Sequence, residues 1–535
     1  MTKGSGRNGS GGNGLPQTLP GVDVPGGGVA AAGPGGKGFL LDLERCVGCG
    51  ACVLACRIEN HLPDAVSWRR ILPFNLRRNP QGPTYHFTLA CHHCEDPPCA
   101  RGCPSGALEK RADGVVLLHE AWCLGCRYCE MACPFGAPVY DSARGIITKC
   151  HLCAPRQERG RAPACVEACP TRALRFLDPG EQGGLAHFHP PREVPGFVDP
   201  GGVGPNLQIA PPRSGLREQR HRELGGRLVP GERLEPGERL EPGGARSREG
   251  ARSRKEASLG DTRGPVTFHE LPLVLFSALA TAGAGVGAVH LLSGFLGNGW
   301  AFSPARALVV TCLLLVAGII SGFHLGRPLR GPLAFRGSGR SPLTNEILAL
   351  AAAAVFAGSG LILPDGPWMP FLGVLAALFS LLFLLALGKV YVLPGQVAWR
   401  GLAATAPLVM GLTWGLILEV GLSGGIPESF GRVLVWAGLI LDGAVSLGRW
   451  RSLEVWAGES QVVHPALFRR RRLLLGVRIA LASLATPGAL LWAGWDAAAA
   501  VFLGAVLLDR FGFYALALRQ TTEAEVRRVE ALLQG

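Results

Sequence analysis

The sequence predicts a small α+β domain followed by an all-α transmembrane bundle, and three observations carry that prediction. Sixteen of the 17 cysteines lie between Cys46 and Cys169. Long apolar runs begin only after Glu270 and continue nearly to the end of the 535-residue chain. Charged residues make up 17% of the chain against 48% hydrophobic, a balance expected where long stretches face lipid. Two solvents shaped the two halves, and a chain of this length divides into several units. The formal charge of +13 is spread over a linker and short loops, not gathered on a folded face, which argues against a nucleic-acid partner.

Residues 1–37 read as a disordered tail, since segments such as Pro25-Gly26-Gly27-Gly28 bury too little apolar surface to offset chain entropy. No apolar run follows a basic start and no twin-arginine pair is present, so no secretory signal is expected. The cysteines are expected in a reducing compartment, where thiols bind metal in preference to pairing as disulfides.

Residues 38–177 form the first domain, and their cysteines fall into four quartets: Cys46, Cys49, Cys52, Cys56; Cys91, Cys94, Cys99, Cys103; Cys123, Cys126, Cys129, Cys133; and Cys150, Cys153, Cys165, Cys169. The first and third have the C-x2-C-x2-C-x3-C spacing of bacterial ferredoxins, and the last three quartets are each closed by proline, at Pro104, Pro134 and Pro170. Three closely spaced thiolates on a tight loop reach three iron corners of a cubane, and the fourth corner is reached from elsewhere in the chain. Gly48, Gly50, Ala51, Gly125 and Ala132 let the loops close and leave backbone N–H groups free to face sulfur. Structural zinc is the plain alternative, but three cysteines within seven residues do not suit one tetrahedral ion. No quartet lacks a cysteine, so four [4Fe-4S] clusters are expected and no three-iron variant.

The order of these motifs, the x4 gap after Cys94, the long gap from Cys153 to Cys165 and the ending Cys169-Pro170-Thr171-Arg172-Ala173-Leu174 resemble the iron-sulfur subunit of the dimethyl sulfoxide reductase family over about residues 37 to 210. The resemblance implies a ferredoxin-like α+β domain in which quartets exchange ligands. It implies one cluster on Cys46, Cys49, Cys52 and Cys169, and a second on Cys150, Cys153, Cys165 and Cys56. A third would sit on Cys91, Cys94, Cys99 and Cys133, and a fourth on Cys123, Cys126, Cys129 and Cys103. Arg57 follows the first quartet where the other three have proline.

Residues 178–264 read as a linker rich in Pro, Gly, Arg and Glu, with the repeat Pro230-Gly231-Glu232-Arg233-Leu234-Glu235 and Pro236-Gly237-Glu238-Arg239-Leu240-Glu241. Its basic piece from Arg246 to Lys255 is read as a spacer, with contact to anionic lipid headgroups as the alternative. A spacer of this length suggests two ancestral chains fused end to end.

Residues 265–520 read as an anchor of about eight transmembrane helices, near 271–296, 306–324, 346–364, 369–388, 402–423, 431–448, 473–494 and 496–517, with residues 521–535 as a cytoplasmic tail. Gly283, Gly285 and Gly287 let helix backbones approach closely. Eight spans put both ends on one side. The loops facing that side carry Arg327, Arg330, Arg336, Arg340, Lys389, Arg400, Arg449, Arg451 and Arg469 to Arg472, against Arg306 and Arg432 opposite. The positive-inside tendency then places the cluster domain on the cytoplasmic side of an inner cell membrane.

Ionisable residues inside the runs are His290, His324, Glu346, Glu419, Asp442, Arg478, Asp509 and Arg510, each costly at the bilayer centre. His290 reads as a helix-packing hydrogen bonder, Arg478 as a snorkelling residue near a helix end, and Asp509 and Arg510 as partners of polar neighbours. His324 and Glu346 flank one cytoplasmic loop, where an imidazole and a carboxylate suit the two protons of a quinol. His269-Glu270-Leu271-Pro272-Leu273, Phe323-His324-Leu325-Gly326-Arg327-Pro328 and Asn345-Glu346-Ile347 resemble the membrane-anchor subunit of dimethyl sulfoxide reductase, which implies eight spans and a menaquinol or ubiquinol site. No haem is expected, because only His290 and His324 lie within the runs and His290 is near the wrong end for close pairing with His324.

The combined expectation is a non-catalytic redox subunit that performs only the quinol-oxidising half-reaction. It would take electrons from the quinone pool in anaerobic respiration and pass them to a separate molybdopterin-containing catalytic subunit. Reverse flow, from a partner dehydrogenase or hydrogenase into the quinone pool, stays open, because cluster potentials depend on surroundings. An ion pump is the more distant alternative, favoured if Glu419, Asp442 and Asp509 line one water path.

Overall fold

Each cysteine quartet follows a strand and runs into a short helix, and this unit recurs along the first domain. In this computed structural model the described residues are 36–75, 84–178, 188–191, 194, 197, 202–211, 271–296, 303–363, 366–390, 392–393, 402–423, 428–459 and 465–515. Their strands are β1 (Gly38–Asp42), β2 (Arg70–Phe74), β3 (Tyr85–Leu89), β4 (Leu108–Lys110), β5 (Val116–Leu118), β6 (Val139–Asp141), β7 (Ile146–Thr148), β8 (Leu174–Leu177) and β9 (Leu207–Ala210). The short helices are α1 (Ala51–Glu59), α2 (Pro98–Arg101), α3 (Tyr128–Ala132), α4 (Ala154–Gln157) and α5 (Ala164–Glu167). Strands β1, β3, β5 and β7 lead into the four quartets in turn.

β2–β3, β4–β5 and β6–β7 are antiparallel hairpins. β1 lies between β8 and β9, antiparallel to the first and parallel to the second. Its central place explains why Phe39, Leu40 and Leu41 are all buried instead of alternating. A parallel neighbour needs a long crossover, and here the crossover between β1 and β9 is the remainder of the domain.

This sheet corrects the expected linker. Leu207–Ala210 is a strand, and Val194, Phe197 and Val203 are core residues, so the first domain takes in part of 178–264. Leu207 and Ile209 face inward, a period-two pattern too short to stand out from a Pro/Gly-rich surrounding. The repeat at 230–241, the basic piece at 246–255, nearly all of the tail 1–37 and all of 521–535 lie outside the described residues.

Among the described residues, eight helices are long and apolar enough to cross a membrane: Leu271–Phe295, Pro304–Gly322, Pro342–Ile362, Met369–Val390, Ala404–Gly421, Ser429–Ser452, Arg472–Trp492 and Trp495–Tyr514. They are called the first to eighth spans. The first runs through the middle of the bundle. A Cβ at Gly285 would fall 1.9 Å from the Gly411 carbonyl oxygen of the fifth span, so these two backbones touch where glycine permits it. Ser303 and Ser341 cap the second and third spans, each accepting a backbone N–H, with Pro304 and Pro342 in the first turn. The seventh span is interrupted by a π-turn, Leu481–Ala485.

Two boundaries differ from expectation. The second span ends at Gly322, so His324 lies beyond the helix instead of inside it. The third starts at its Ser341 cap, so Glu346 lies inside the first turns. Hydropathy alone does not see caps, because Ser and Pro are not apolar.

Candidate cluster sites and the membrane junction

The quartet loops turn through left-handed residues: Gly48 and Gly50, then His93, then Gly125 and Arg127, then Leu152 and Cys153. Such turns bring successive backbone N–H groups to one side and form anion-binding concavities. Several N–H groups accordingly point at sulfur: Leu152 N to Cys150 Sγ at 3.3 Å, and Ile147 N to Cys123, Ala137 N to Cys133 and Leu174 N to Cys169 at 3.5 Å. Gly106, Gly136 and Arg172, each three residues past a closing cysteine, are also left-handed.

The thiols gather across quartets. Cys46 has Cys49, Cys52 and Cys169 as electrostatic neighbours. Cys56 neighbours Cys153 and Cys165, and Cys150 neighbours Cys56 and Cys165. All four of these line one cavity, with Phe39, Trp68 and Arg69. Cys94 neighbours Cys91, Cys99 and Cys133. Cys126 neighbours Cys103 and Cys123, and Cys129 neighbours Cys126 and Cys103. The groups also follow one another in space: Cys165 senses Cys52, Cys150 senses Cys91, and Cys129 senses Cys99.

Burial pushes the thiols of Cys56 and Cys126 up to about 12. A thiol so placed ionises when a metal cation takes the place of its proton. Among the described residues, no three His, Cys, Asp or Glu side chains converge on a single ion. Four thiols that stand apart around a cavity suit a core with four separate iron corners, so the donor set fits a cubane.

Sequence reasoning missed two buried cations beside these thiols. Arg69 is 2% exposed, and Lys149, 3% exposed, has its Nζ 3.7 Å from Cys91 Sγ. Neither sits in a motif, and only the tertiary fold brings Arg69 to the cavity.

The group of Cys103, Cys123, Cys126 and Cys129 meets the membrane bundle. Arg327 N donates to the Leu124 carbonyl at 3.0 Å and Gly337 N to the Pro104 carbonyl at 2.8 Å. Arg330 Nη1 reaches the Cys123 carbonyl at 3.1 Å, and Ser341 Oγ the Gly102 carbonyl at 2.9 Å. The Arg336 guanidinium lies 4.1 Å over the Trp122 ring. Arg327, Arg330 and Arg336, read from sequence as loop charges, thus hold the two domains together.

Both expected quinol-site residues flank this junction, but the structure does not pair them. His324 is half-buried on the loop, and its Nδ1–H donates to the Ser321 carbonyl. Glu346 is buried, and neither carboxylate oxygen has a hydrogen-bond partner among the described residues. The charged and polar groups acting with it are Arg510 and Tyr128.

The other intramembrane charges form two separate networks, so Glu419, Asp442 and Asp509 do not line one path. At the end away from the clusters, His290 Nδ1 lies 2.9 Å from Arg306, which also binds Glu419. Arg306, expected in a loop, is therefore inside the bundle. Near the cluster side, Arg449 binds Asp509 at 2.7 Å and Arg478 binds Asp442. Arg478 does not snorkel, because its side chain is 1% exposed and its charge is met within the bundle.

Thiol groups arranged in a row and docked on eight apolar helices define a membrane-anchored iron-sulfur electron carrier. Residues 39–59 match a 4Fe-4S binding domain, 83–179 a 4Fe-4S dicluster domain, and 266–425 the DMSO reductase anchor subunit (DmsC). The protein is 46% identical over 147 residues to one of the chains of the anaerobic dimethyl sulfoxide reductase of Escherichia coli, covering 26% of this chain and 72% of that one. It is 40% identical over 190 residues to the corresponding chain of the Haemophilus influenzae reductase, covering 32% and 88%. It is also 40% identical over 162 residues to a subunit of the sulfite dehydrogenase of Allochromatium vinosum, covering 26% and 68%. The protein belongs to the dimethyl sulfoxide reductase family, with the iron-sulfur domain and a multi-pass membrane anchor joined in one polypeptide.

Proposed function

We propose that this chain is the electron-transfer and membrane-anchor subunit of a dimethyl sulfoxide reductase-like molybdoenzyme complex. It oxidises menaquinol or ubiquinol and passes electrons through four [4Fe-4S] clusters to a separate molybdopterin-containing catalytic subunit in anaerobic respiration. The observation that supports this most is the row of four thiol groups ending on the loop between the second and third spans. The clusters, when bound, supply one-electron carriers. Their proposed ligands are Cys46, Cys49, Cys52 and Cys169; Cys150, Cys153, Cys165 and Cys56; Cys91, Cys94, Cys99 and Cys133; and Cys123, Cys126, Cys129 and Cys103.

At the junction the residues handle protons. His324 donates through Nδ1 to Ser321, which fixes the tautomer and leaves Nε2 as an acceptor. Glu346 offers a carboxylate with no hydrogen-bond partner among the described residues. These are the proposed acceptors of the two quinol protons. Arg340, Lys389, Arg449 and Arg451, on the cluster side, support a cytoplasmic cluster domain.

The test replaces His324 by alanine and Glu346 by glutamine and follows cluster reduction by electron paramagnetic resonance. Quinol-driven reduction should fall in both while dithionite still reduces the clusters. Unchanged quinol-driven reduction removes the site. The likeness to a sulfite dehydrogenase subunit supports a second reading, reverse flow into the quinone pool. Clusters reduced by a partner's substrate and reoxidised by added quinone would favour it.

A further inference from the structure

The row of thiol groups holds two cations that the proton chemistry above does not use. Arg69 lines the cavity of Cys56, Cys150 and Cys165, and Cys52 of the neighbouring group also acts on it. Its Nη1 donates to Thr88 Oγ1 at 3.0 Å, and that hydroxyl lies 3.5 Å from Cys52 Sγ. Its guanidinium carbon sits 4.3 Å over the Phe39 ring, while Nη2 has no hydrogen-bond partner among the described residues. A guanidinium stays charged in any protein setting. Burying one with an unmatched N–H is costly unless negative charge faces it.

Lys149 stands at the next gap. Its Nζ lies 2.8 Å from the Cys150 carbonyl, 3.7 Å from Cys91 Sγ and also donates to the Val116 carbonyl. Three acceptors surround Nζ, as many as an ammonium has N–H bonds to donate. At the group nearest the membrane the cation is Arg330, which touches the Cys123 carbonyl from a half-buried position.

We propose that Arg69 and Lys149 are fixed counter-charges of the electron path, Arg69 between the first and second thiol groups and Lys149 between the second and third, and that they favour the reduced state of the clusters beside them. This rests on the four-cluster reading. A reduced cluster carries one more negative charge, and a cation fixed nearby in a low-dielectric interior stabilises it. The three groups away from the membrane are thereby made the better electron acceptors. Both residues are positioning residues, since they act through the cysteine-held groups and touch no substrate.

The experiment is a potentiometric titration of the purified full-length chain, followed by electron paramagnetic resonance, with iron counted in each sample. Arg69→Gln should lower the potentials of the two flanking clusters by about tenfold in the redox equilibrium, which is 59 mV for a one-electron couple. The cluster nearest the membrane should not move, and Arg69→Lys should restore the original values. Lys149→Gln should act in the same way on the second and third. Four unchanged potentials in both glutamine variants, with iron retained, would overturn the proposal and leave the ligand assignment standing. Loss of iron in Arg69→Gln, Arg69→Lys and Lys149→Gln alike would show a purely structural role and overturn it too. A wild-type chain without iron would instead sink the four-cluster reading itself.

Discussion

The hydroxyl of Tyr128 donates to the carbonyl oxygen of Val390 at 2.5 Å, which joins the loop between Cys126 and Cys129 to the last residue of the fourth span. That carbonyl is one of the orphan acceptors every helix leaves at its C-terminus. Tyr128 and Ala132 also pack into the hydrophobic core of the bundle, so the short helix α3 belongs to both domains. Tyr128→Phe keeps the ring and removes the bond, and should lower stability by about 1 kcal/mol. Tyr128→Ala should cost about 3 kcal/mol or more through the cavity it leaves. Thermal unfolding of the detergent-solubilised chain measures both, and equal melting temperatures for the two variants would contradict the account.

A second contact point is made of bare backbone. Gly326, on the loop after the second span, abuts Gly145 so closely that a Cβ would lie 2.3 Å from its carbonyl oxygen and 2.7 Å from Tyr140 Oη. Gly326→Ala must therefore push the loop away from the cluster domain, at an overpacking cost of about 1–3 kcal/mol. Quinol-driven cluster reduction should slow by about tenfold or more, on the scale of 1.36 kcal/mol per decade of rate. Iron content and dithionite reduction should stay unchanged, and a variant with normal quinol-driven kinetics would show that the close approach is not needed.

Local patterns in the sequence disclose the quartets and the apolar runs, because a cubane loop and a membrane span are both written in consecutive residues. What the sequence hides is non-local. β9 joins β1 across the whole domain, Arg69 reaches thiols from the first and fourth quartets, and Gly337 meets Pro104. None of these leaves a periodic trace near its own position. The position of His324 escapes for a related reason: hydropathy extends through Phe323, while hydrogen bonding ends the helix at Gly322. Arg478 has the sequence setting of a helix-end residue, and its partner Asp442 lies on another span.

Removing iron should make the cluster domain sensitive to alkali. In the iron-free chain, burial holds the thiols of Cys56 and Cys126 near 12, above their ordinary 9.0. A group whose folded value is raised contributes stability that is complete below its unfolded value and is lost as pH climbs towards the folded one. The window is therefore about pH 9 to 12. Circular dichroism melts of the iron-free chain at neutral pH and near pH 10 should show a lower melting temperature in alkali. The iron-loaded chain, whose thiolates are already matched by metal, should not share that loss. A flat profile in the iron-free chain would mean that these thiols are open to water.

The pair of Arg478 and Asp442 gives the sharpest test of how the last three spans are held. Both side chains are 1% exposed, Arg478 also donates to Ser446, and its Nε lies 3.8 Å from Asp509. The π-turn Leu481–Ala485 begins three residues further on, and such turns often mark places where a helix yields to a local demand. Arg478→Met strands a carboxylate in the bundle, and Asp442→Leu strands a guanidinium. Either single change should destabilise by about 3–5 kcal/mol, mostly as the cost of the abandoned charge. The double variant removes both charges and should recover most of that loss, because Asp509 keeps Arg449 as a partner. Thermal unfolding of the four proteins in one detergent provides the cycle. Additive losses in the double variant would mean that the two residues do not act as a pair, and the charged core of these spans would then need a different explanation.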